Sequence, residues 1–302
     1  MDNLTHSLVG AILGQAGLKR KTGLAMPALI IGANLPDVDA TCFFWLDGVQ
    51  HLAVRRGITH GPIAWVLLPL VLAGLLYGFD RWQAGRGKRS EGRLPVSFPW
   101  LYLLSLIGCL THPALDWLNV YGIRLLEPFS SRWFYGDTLF IIDIWLWALL
   151  GLSTWWSLRR EKRGGDWQRV ARVALTIALA YIAVQGAITR SYRMAEVGPV
   201  IASPLPLASW EREVIVPAGP DRWLIDGQPV GDCVLASAVA AAPDNPDLNA
   251  FLFWSRAPFA ERALDGSVLI RDARFYDPRA RDRFTVALPE VRCEELGSAA
   301  RG

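Results

Sequence analysis

The sequence lacks a strong excess of charge and is poor in the residues that most often carry chemistry, with four histidines and four cysteines. Lys and Arg outnumber Asp and Glu by 31 to 28, and this balance gives no signal for nucleic-acid binding. No basic leader with a small-residue cleavage site is evident at the start, so a cleavable signal peptide is not expected. The chain has 302 residues, enough for two domains, and 52% of them are apolar.

The apolar residues come in long blocks that end near residue 189. A membrane span needs roughly 20 mostly apolar residues, and the fourteen tryptophans suit a membrane protein because Trp favours the bilayer interface. The pattern predicts an α-helical polytopic membrane domain over 1–189. It would have about four long spans and two shorter N-terminal apolar helices, with the spans at 62–80, 98–118, 138–158 and 170–189 and the short helices at 4–18 and 24–35.

Basic residues cluster at 19–21, 81–93 and 159–172. Because cytoplasmic loops of membrane proteins carry an excess of Lys and Arg, these three loops are predicted to be cytoplasmic. The alternate ends of the helices, and the C-terminal region, are then external. All polar residues considered below as site candidates fall on that external side.

After a proline-rich linker at 197–207, short alternating stretches predict a small α+β or mostly β domain over 190–302. The Asp-Gly pair at 226–227 indicates a β-hairpin. The Asn-Pro pair at 245–246 indicates the start of a helix. If the domain is external, its two cysteines, Cys233 and Cys293, are expected to form a disulfide in an oxidising compartment, and the alternative is two unrelated thiols.

His112 and Asp116 end an apolar run that begins near Phe98. An ionisable group at membrane depth costs roughly 2.5–3.5 kcal/mol, so it is usually paired, water-facing or bound to a metal. A spacing of four puts both side chains on one helix face, where an imidazole and a carboxylate provide two ligands for zinc. Pro113 weakens this geometry because it tends to kink or start a helix. The alternative is a helix end with a capping histidine and an aspartate that reaches the interface.

Three of the four histidines follow a threonine, and a threonine or a backbone carbonyl can orient an imidazole through its second ring nitrogen. Asp37 and Asp39 would point the same way on an extended backbone. Taken singly, a buried histidine is more often structural, and His51, in a polar loop, is interpreted as exposed. Taken together, the shared external side predicts one metal site with the ligands His6, Asp37, Asp39, His60, His112 and Asp116.

Other polar residues on the external side have weaker indications. Asp143 is interpreted as a hydrogen-bond acceptor for one of the ligand residues or as a structural charge. Four arginines are candidates to hold an anionic substrate, and ordinary anchoring at the membrane interface is an equally good reading of each. They are Arg55, Arg56, Arg124 and Arg132.

Five segments together resemble a known family. They are Thr-His-Ser at 5–7, Leu-Pro-Asp-Val-Asp at 35–39, Arg-Gly-Ile-Thr-His at 56–60, Thr-His-Pro-Ala-Leu-Asp at 111–116 with Tyr-Gly at 121–122, and the segment 137–143. Over about 1–160 the chain resembles the YdjM-like family of bacterial inner-membrane proteins, described by inference as metal-dependent hydrolases. Gly61 departs from the family, which often has Ser there. The His-x-x-x-Asp pair is also distantly similar to that of zinc-dependent phospholipase C, which implies phosphoester chemistry.

The resemblance and the residues together favour a membrane-bound metal hydrolase in the bacterial inner membrane, with zinc as the expected metal. Asp37 or Asp39 would serve as general base, and Arg56 is included among the catalytic candidates. A site at the outer membrane boundary suits an amphiphilic or phosphorylated substrate drawn from membrane lipid. The alternative is a non-catalytic membrane protein with a structural or regulatory metal and a partner-binding C-terminal domain. A transporter is disfavoured because the spans have few charges at mid-membrane.

Overall fold

The structure, a computed structural model, describes residues 1–276 and 284–296. The chain divides into two compact units, the first made of Met1–Asp39, Arg56–Ala187 and Pro206–Ser209, and the second of Ala40–Arg55, Ile188–Leu205 and Trp210–Gly302. The predicted domain limits, 1–189 and 190–302, stay a prediction. The segment Ala40–Arg55 joins the second unit although sequence order alone assigns it to the first domain.

Helices dominate the first unit. The α-helices of the described chain are α1 (Asn3–Gln15), α2 (Ala25–Asn34), α3 (His51–Val54), α4 (Pro62–Gly85), α5 (Phe98–Trp117), α6 (Ile144–Lys162), α7 (Trp167–Ala195), α8 (Leu235–Ala241) and α9 (Pro246–Trp254). Short 3₁₀ helices cover Leu18–Arg20, Leu35–Phe44, Ile58–His60 and Ala273–Phe275.

Three of the described helices, α4, α5 and α7, are long and apolar enough to cross a membrane. The expected fourth span at 138–158 is not confirmed. Its helix, α6, begins only at Ile144, because the Asp143 side chain caps it by accepting from the Leu146 N–H at 2.9 Å. Arg159 and the charges after it then shorten the apolar part from the other end.

Glycines allow α2 to pack closely between α1 and α5. A Cβ placed on Gly10 of α1 would lie 2.7 Å from the Leu29 carbonyl oxygen of α2, and one on Gly108 of α5 would lie 2.6 Å from the same atom. Both distances are too short for any side chain, so these positions require glycine. The close approach buries Leu29 completely and aligns the C-terminal end of α2 with that of α5.

The helices α6 and α7 pack on the other side of α1. Small residues of α7, Ala171, Ala174 and Ala178, meet Ile12 of α1 and Leu146 of α6 in a buried cluster. Aspartate side chains cap the amino-terminal ends of α1 and α6. Asp2 accepts hydrogen bonds from first-turn N–H groups of α1, and Asp143 accepts one from the first turn of α6.

Two antiparallel sheets form the second unit. The first has the order β1 (Ile201–Pro204), β2 (Arg212–Pro217), β3 (Trp223–Ile225) and β4 (Gln228–Val230), and the second has β5 (Pro258–Arg262), β6 (Ser267–Asp272) and β7 (Val286–Arg292). The Asp-Gly pair at 226–227 joins β3 and β4 with positive φ at both residues, which confirms the predicted hairpin. Asn245 caps α9 as predicted, accepting from the Leu248 N–H at 3.0 Å.

The predicted disulfide cross-links two segments of the second unit. Cys233 and Cys293 are bonded, with their Cα atoms 5.3 Å apart, and the bond joins the segment before α8 to the chain after β7. A buried ion pair lies near the end of β6, where the Arg274 guanidinium donates to both carboxylate oxygens of Asp272, at 2.8 and 2.7 Å, and lies over the Trp254 ring. The remaining cysteines, Cys42 and Cys109, are free and buried, as expected for core residues.

Candidate metal centre

Four segments of the chain bring the predicted ligands to one place. The segments are α1, the first half of the 3₁₀ helix Leu35–Phe44, the 3₁₀ helix Ile58–His60, and the last turns of α5. They contribute, in that order, His6, then Asp37 and Asp39, then His60, then His112 and Asp116.

The pair on α5 has the geometry of one helical turn. The helix continues through Pro113 to Trp117, so His112 lies inside it and does not cap its end. His112 Nε2 lies 3.5 Å from Asp116 Oδ2, and both residues are fully buried. The helix-end alternative for this pair is therefore wrong, and the same-face geometry is present.

The three candidate histidines form a buried group. His60 Nε2 lies 3.1 Å from His112 Nε2, and the His6 ring stacks on the His112 ring with a centroid distance of 3.8 Å. All three side chains are fully buried, and neither ring nitrogen of His6 has a hydrogen-bond partner in the described structure. Burial, and next the adjacent His112, lowers the pKa of His6 well below its ordinary value, which favours the neutral imidazole.

Second partners fix two of the rings so that Nε2 points inward. The carbonyl oxygen of Ala33, near the end of α2, lies 2.7 Å from His112 Nδ1, and the Thr59 hydroxyl lies 3.0 Å from His60 Nδ1. Only Thr59 therefore orients the histidine that follows it. Thr5 instead donates to Asp2, and Thr111 donates to the carbonyl of its own helix, so His112 is oriented by a backbone carbonyl, the second of the two expected partners, and His6, within the described part of the chain, by neither.

The two aspartates of the 35–39 segment have different neighbours. The backbone there is a 3₁₀ helix and not extended as expected, so the two side chains diverge. Asp37 Oδ1 lies 3.8 Å from His112 Nε2. Asp39 lies behind His60, with Oδ2 at 3.5 Å from His60 Nδ1, where it also accepts from the Arg56 N–H at 2.7 Å and the Thr59 hydroxyl at 3.2 Å.

Two overlapping groups of donor atoms have the proximity that a metal requires. One is His6, Asp37 and His112, and the other is His60, His112 and Asp116, with all donor atoms of each group within 4.8 Å of one another. His112 belongs to both groups. Asp39 belongs to neither, so its geometry is that of a residue that orients His60.

Asp116 also holds two cationic groups that the sequence did not place there. Arg56 Nε lies 2.9 Å from Asp116 Oδ2, and the Met1 amino group donates to Oδ1 of the same carboxylate. Arg56 has a positive φ of 55°, which turns its side chain inward, and its guanidinium donates to Asn119 Oδ1 at 3.0 Å and lies over the Tyr121 ring. The sequence named Arg56 through the Arg-Gly-Ile-Thr-His segment and as one of four external arginines, and neither signal predicted its contact with Asp116.

The remaining candidates lie elsewhere. His51 belongs to the second unit, where it is half-buried and not exposed as expected, with Nδ1 at 3.2 Å from the Gly48 carbonyl oxygen. Asp143 caps α6 and accepts from the Tyr181 hydroxyl at 2.8 Å, a structural role. The other arginines stack on aromatic rings, Arg55 on Phe43, Arg124 on Trp133 and Arg132 on Phe134.

Comparison with known proteins places this helical unit in a family. The chain is 25% identical over 167 residues to the uncharacterized protein YfhP of Bacillus subtilis (strain 168), a match that covers 52% of this chain and 47% of that protein. The chain therefore matches about half the length of this relative. No solved structure matches significantly, and the similarity to zinc-dependent phospholipase C is not confirmed.

The family match covers the segments that build the site. It extends over residues 1–192, which include all the candidate ligands, the apolar helices α4 and α5, and most of α7. The resemblance noted from the five sequence segments is thereby confirmed. The chain belongs to the YdjM inner membrane protein family.

Proposed function

We propose that this protein is a membrane-bound, metal-dependent hydrolase whose metal, expected to be zinc, is held by His6, His60, His112 and Asp116. The observation that carries the proposal is the buried group of inward-facing donor atoms from four separate segments. His6 is buried with no hydrogen bond to either ring nitrogen among the described residues, and leaving a buried polar group without a hydrogen bond costs about 1–3 kcal/mol, a cost that a shared metal ion would remove.

The distances between the donor atoms fit a metal ion. Two nitrogens that bind zinc tetrahedrally at about 2.0–2.1 Å lie roughly 3.3 Å from each other. His60 Nε2 and His112 Nε2 are 3.1 Å apart, and Asp116 Oδ2 lies 3.7 and 3.5 Å from them. The unpartnered ring nitrogens of His6 supply a further donor.

Each residue of the site then has a role in hydrolysis. A bound metal would lower the pKa of a water molecule and polarise the scissile bond. Asp37, whose carboxylate lies within 4.8 Å of the donor atoms of His6 and His112, would accept the proton of the attacking water. Asp39 would hold His60 in orientation, and Arg56 would hold the Asp116 carboxylate.

The location of the site indicates the class of substrate. His112 and Asp116 lie at the end of α5, one of the apolar helices, so the site lies near the end of a span and not at its middle. We infer an amphiphilic substrate, a phosphoester or lipid-linked phosphate that enters from the membrane boundary. The multi-pass inner-membrane placement with an extracytoplasmic C-terminal domain is part of the same proposal and comes from the distribution of Lys and Arg.

Measuring metal content and hydrolytic turnover on the same variants distinguishes the metal ligands from the general base. Asp37→Asn should keep the metal and lower the hydrolysis of a nitrophenyl phosphodiester by about 10²–10⁴-fold, the usual contribution of a general base. His6→Phe should lose metal and turnover together while it keeps the ring stacked on His112. His51→Ala is the matched control and should change neither. Loss of metal in Asp37→Asn would make Asp37 a ligand and contradict its role as base.

A non-catalytic metal site is the second candidate, and one observation favours it. All three imidazoles are fully buried, as in structural zinc sites, which are closed, whereas catalytic sites keep an open position for water. Exchange of the bound metal with a chelator distinguishes the two. Removal within minutes without loss of the fold supports the hydrolase, and removal only upon unfolding supports the structural site.

A further inference from the structure

Three separate segments of the first unit line one cavity, whose basic side chains are Lys19, Arg20 and Arg93. The cavity has a volume of about 560 Å³ and is lined by residues from 19–27, by Arg93 and Leu94, and by Glu161 and Trp167. These segments follow α1, precede α5 and connect α6 to α7, so the cavity lies at the ends of α1, α2 and α5 remote from the candidate metal centre. Neither the family match nor the proposed hydrolysis assigns a role to it.

Two cations of the cavity wall are fixed by partners. Lys19 Nζ contacts the Glu161 carboxylate and lies 4.2 Å from the centroid of the Trp167 ring. The Arg93 guanidinium pairs with Asp80 and donates to Gln83 Oε1 at 2.7 Å. These contacts fix the positive charges of Lys19 and Arg93 at the cavity. They do not use every N–H donor of the two side chains.

Two further donors at the cavity have no acceptor among the residues that the structure describes. Arg93 Nε is buried and makes no hydrogen bond. Arg20 is exposed, and its guanidinium has no ion pair or hydrogen bond in the same part of the chain. A buried donor without an acceptor is unfavourable, and arginine suits the oxygen atoms of a phosphate because its donors form a planar fork. The wall is therefore complementary to an anion with several oxygens.

The surroundings of the cavity favour a lipid as the source of that anion. The apolar helices α5 and α7 both begin beside it, at Phe98 and Trp167. Lys21 lies over the ring of Trp100, 5.1 Å from its centroid. Trp and Lys together are typical of the membrane–water interface, and basic groups there attract anionic headgroups.

We propose that this cavity binds the phosphate of an anionic phospholipid headgroup, with Arg20 as the donor and Lys19 and Arg93 as fixed positive charges in the wall. The site is independent of hydrolysis, because it lies at the opposite ends of α1 and α2 from the candidate ligands. Binding there would hold the ends of α1, α5 and α7 together on the side that carries the basic loops.

The test is a binding titration of the full chain in a neutral detergent with short-chain phosphatidylglycerol, read by native mass spectrometry. Phosphatidylcholine of the same chain length and inorganic phosphate are the comparison ligands. Arg20→Glu is the test variant, since an exposed residue without partners can change charge without disturbing the fold. Arg159→Glu is the matched control, because Arg159 is exposed, lies over the Trp155 ring and does not line the cavity.

We expect saturable binding of phosphatidylglycerol that is at least about tenfold tighter than that of phosphatidylcholine, because both lipids carry the phosphate but the choline cation is repelled by the basic side chains of the cavity wall. Arg20→Glu should weaken it by about tenfold or more, and Arg159→Glu should leave it nearly unchanged. Equal binding of the two lipids, or equal weakening by the two variants, would overturn the proposal. Inorganic phosphate that binds as tightly as phosphatidylglycerol would overturn the assignment to a lipid.

Discussion

Replacing Gly108 by alanine should damage the candidate metal centre although residue 108 itself supplies no ligand. The new Cβ would lie 2.6 Å from the Leu29 carbonyl oxygen and 3.0 Å from the Ala33 N–H nitrogen, both backbone atoms of α2. An ordinary contact needs at least 3.4 Å, so α2 and α5 must separate locally by about 0.8 Å. The Ala33 carbonyl oxygen that fixes His112 belongs to the segment that moves.

The expected cost combines two effects. Overpacking of a well-packed interior costs about 1–3 kcal/mol, and stretching the 2.7 Å contact between His112 Nδ1 and the Ala33 oxygen by the same shift would lose a buried hydrogen bond worth about 1 kcal/mol. Gly108→Ala should therefore lower the free energy of unfolding by about 2–4 kcal/mol and also reduce the metal bound after purification.

Unfolding in detergent, together with metal analysis, checks this prediction. Gly74→Ala is the control, because a Cβ at Gly74 of α4 meets nothing within 4 Å, and it should leave stability unchanged or raise it by up to about 1 kcal/mol, since Ala favours a helix more than Gly does. If the two variants behave alike, or if Gly108→Ala keeps its metal at full stoichiometry, the close packing of α2 on α5 does not position His112.

Three further predictions concern topology, the disulfide and pH. Cysteines introduced at Lys88 and Asp265 should be labelled from opposite sides of the membrane, since the native free thiols are buried; labelling from one side would refute the orientation. Mutation of Cys233 and Cys293 to serine should destabilise the second unit by about 2–4 kcal/mol, measured by proteolysis at increasing denaturant; unchanged resistance would contradict the reasoning. Burial alone would raise the pKa of Asp272, but its buried arginine partner and its hydrogen bonds bring it below the ordinary value, so the contribution of Asp272 is complete above about pH 4 and is lost as the pH falls further. The protection of the β6 amides, measured as hydrogen exchange relative to the intrinsic rate at each pH, should fall with acid, and Asp272→Asn should remove that part of the acid dependence.

Local signals in the sequence predicted the features that depend on a few adjacent residues. The i, i+4 pair of His112 and Asp116, the Asp-Gly hairpin and the Asn-Pro helix start each need only the geometry of one turn. The grouping of the ligands was predictable for a different reason. Ionisable residues are rare in apolar segments, and the distribution of Lys and Arg assigned all of them to one side before any contact was known.

Contacts between distant segments were not predictable. Thr5 and Thr111 stand before histidines as Thr59 does, but their nearest acceptors belong to their own helices, and only the fold decides among them. The pairing of Arg56 with Asp116 depends on a left-handed backbone at residue 56, which the sequence does not signal because arginine rarely adopts it.

The predicted fourth span differs from the structure through helix capping. Hydropathy counts the residues from 138 as part of the apolar segment, but Asp143 is a strong N-cap and starts α6 after them. The two aspartates of the 35–39 segment were likewise expected to point the same way, because the backbone there was expected to be extended. A 3₁₀ helix turns Asp39 toward His60 Nδ1 and leaves Asp37 near His112 Nε2, which separates their roles.

X-ray absorption at the zinc edge tests the central claim most directly, because it counts the imidazole ligands of a metal bound to the purified protein. The account predicts about one zinc per chain with nitrogen and oxygen ligands at about 2.0–2.1 Å, imidazole scattering that decreases in His6→Phe, and an unchanged spectrum in His51→Ala. A protein that retains no zinc after addition of the metal, or a spectrum that His6→Phe leaves unchanged, would contradict a metal centre at these histidines.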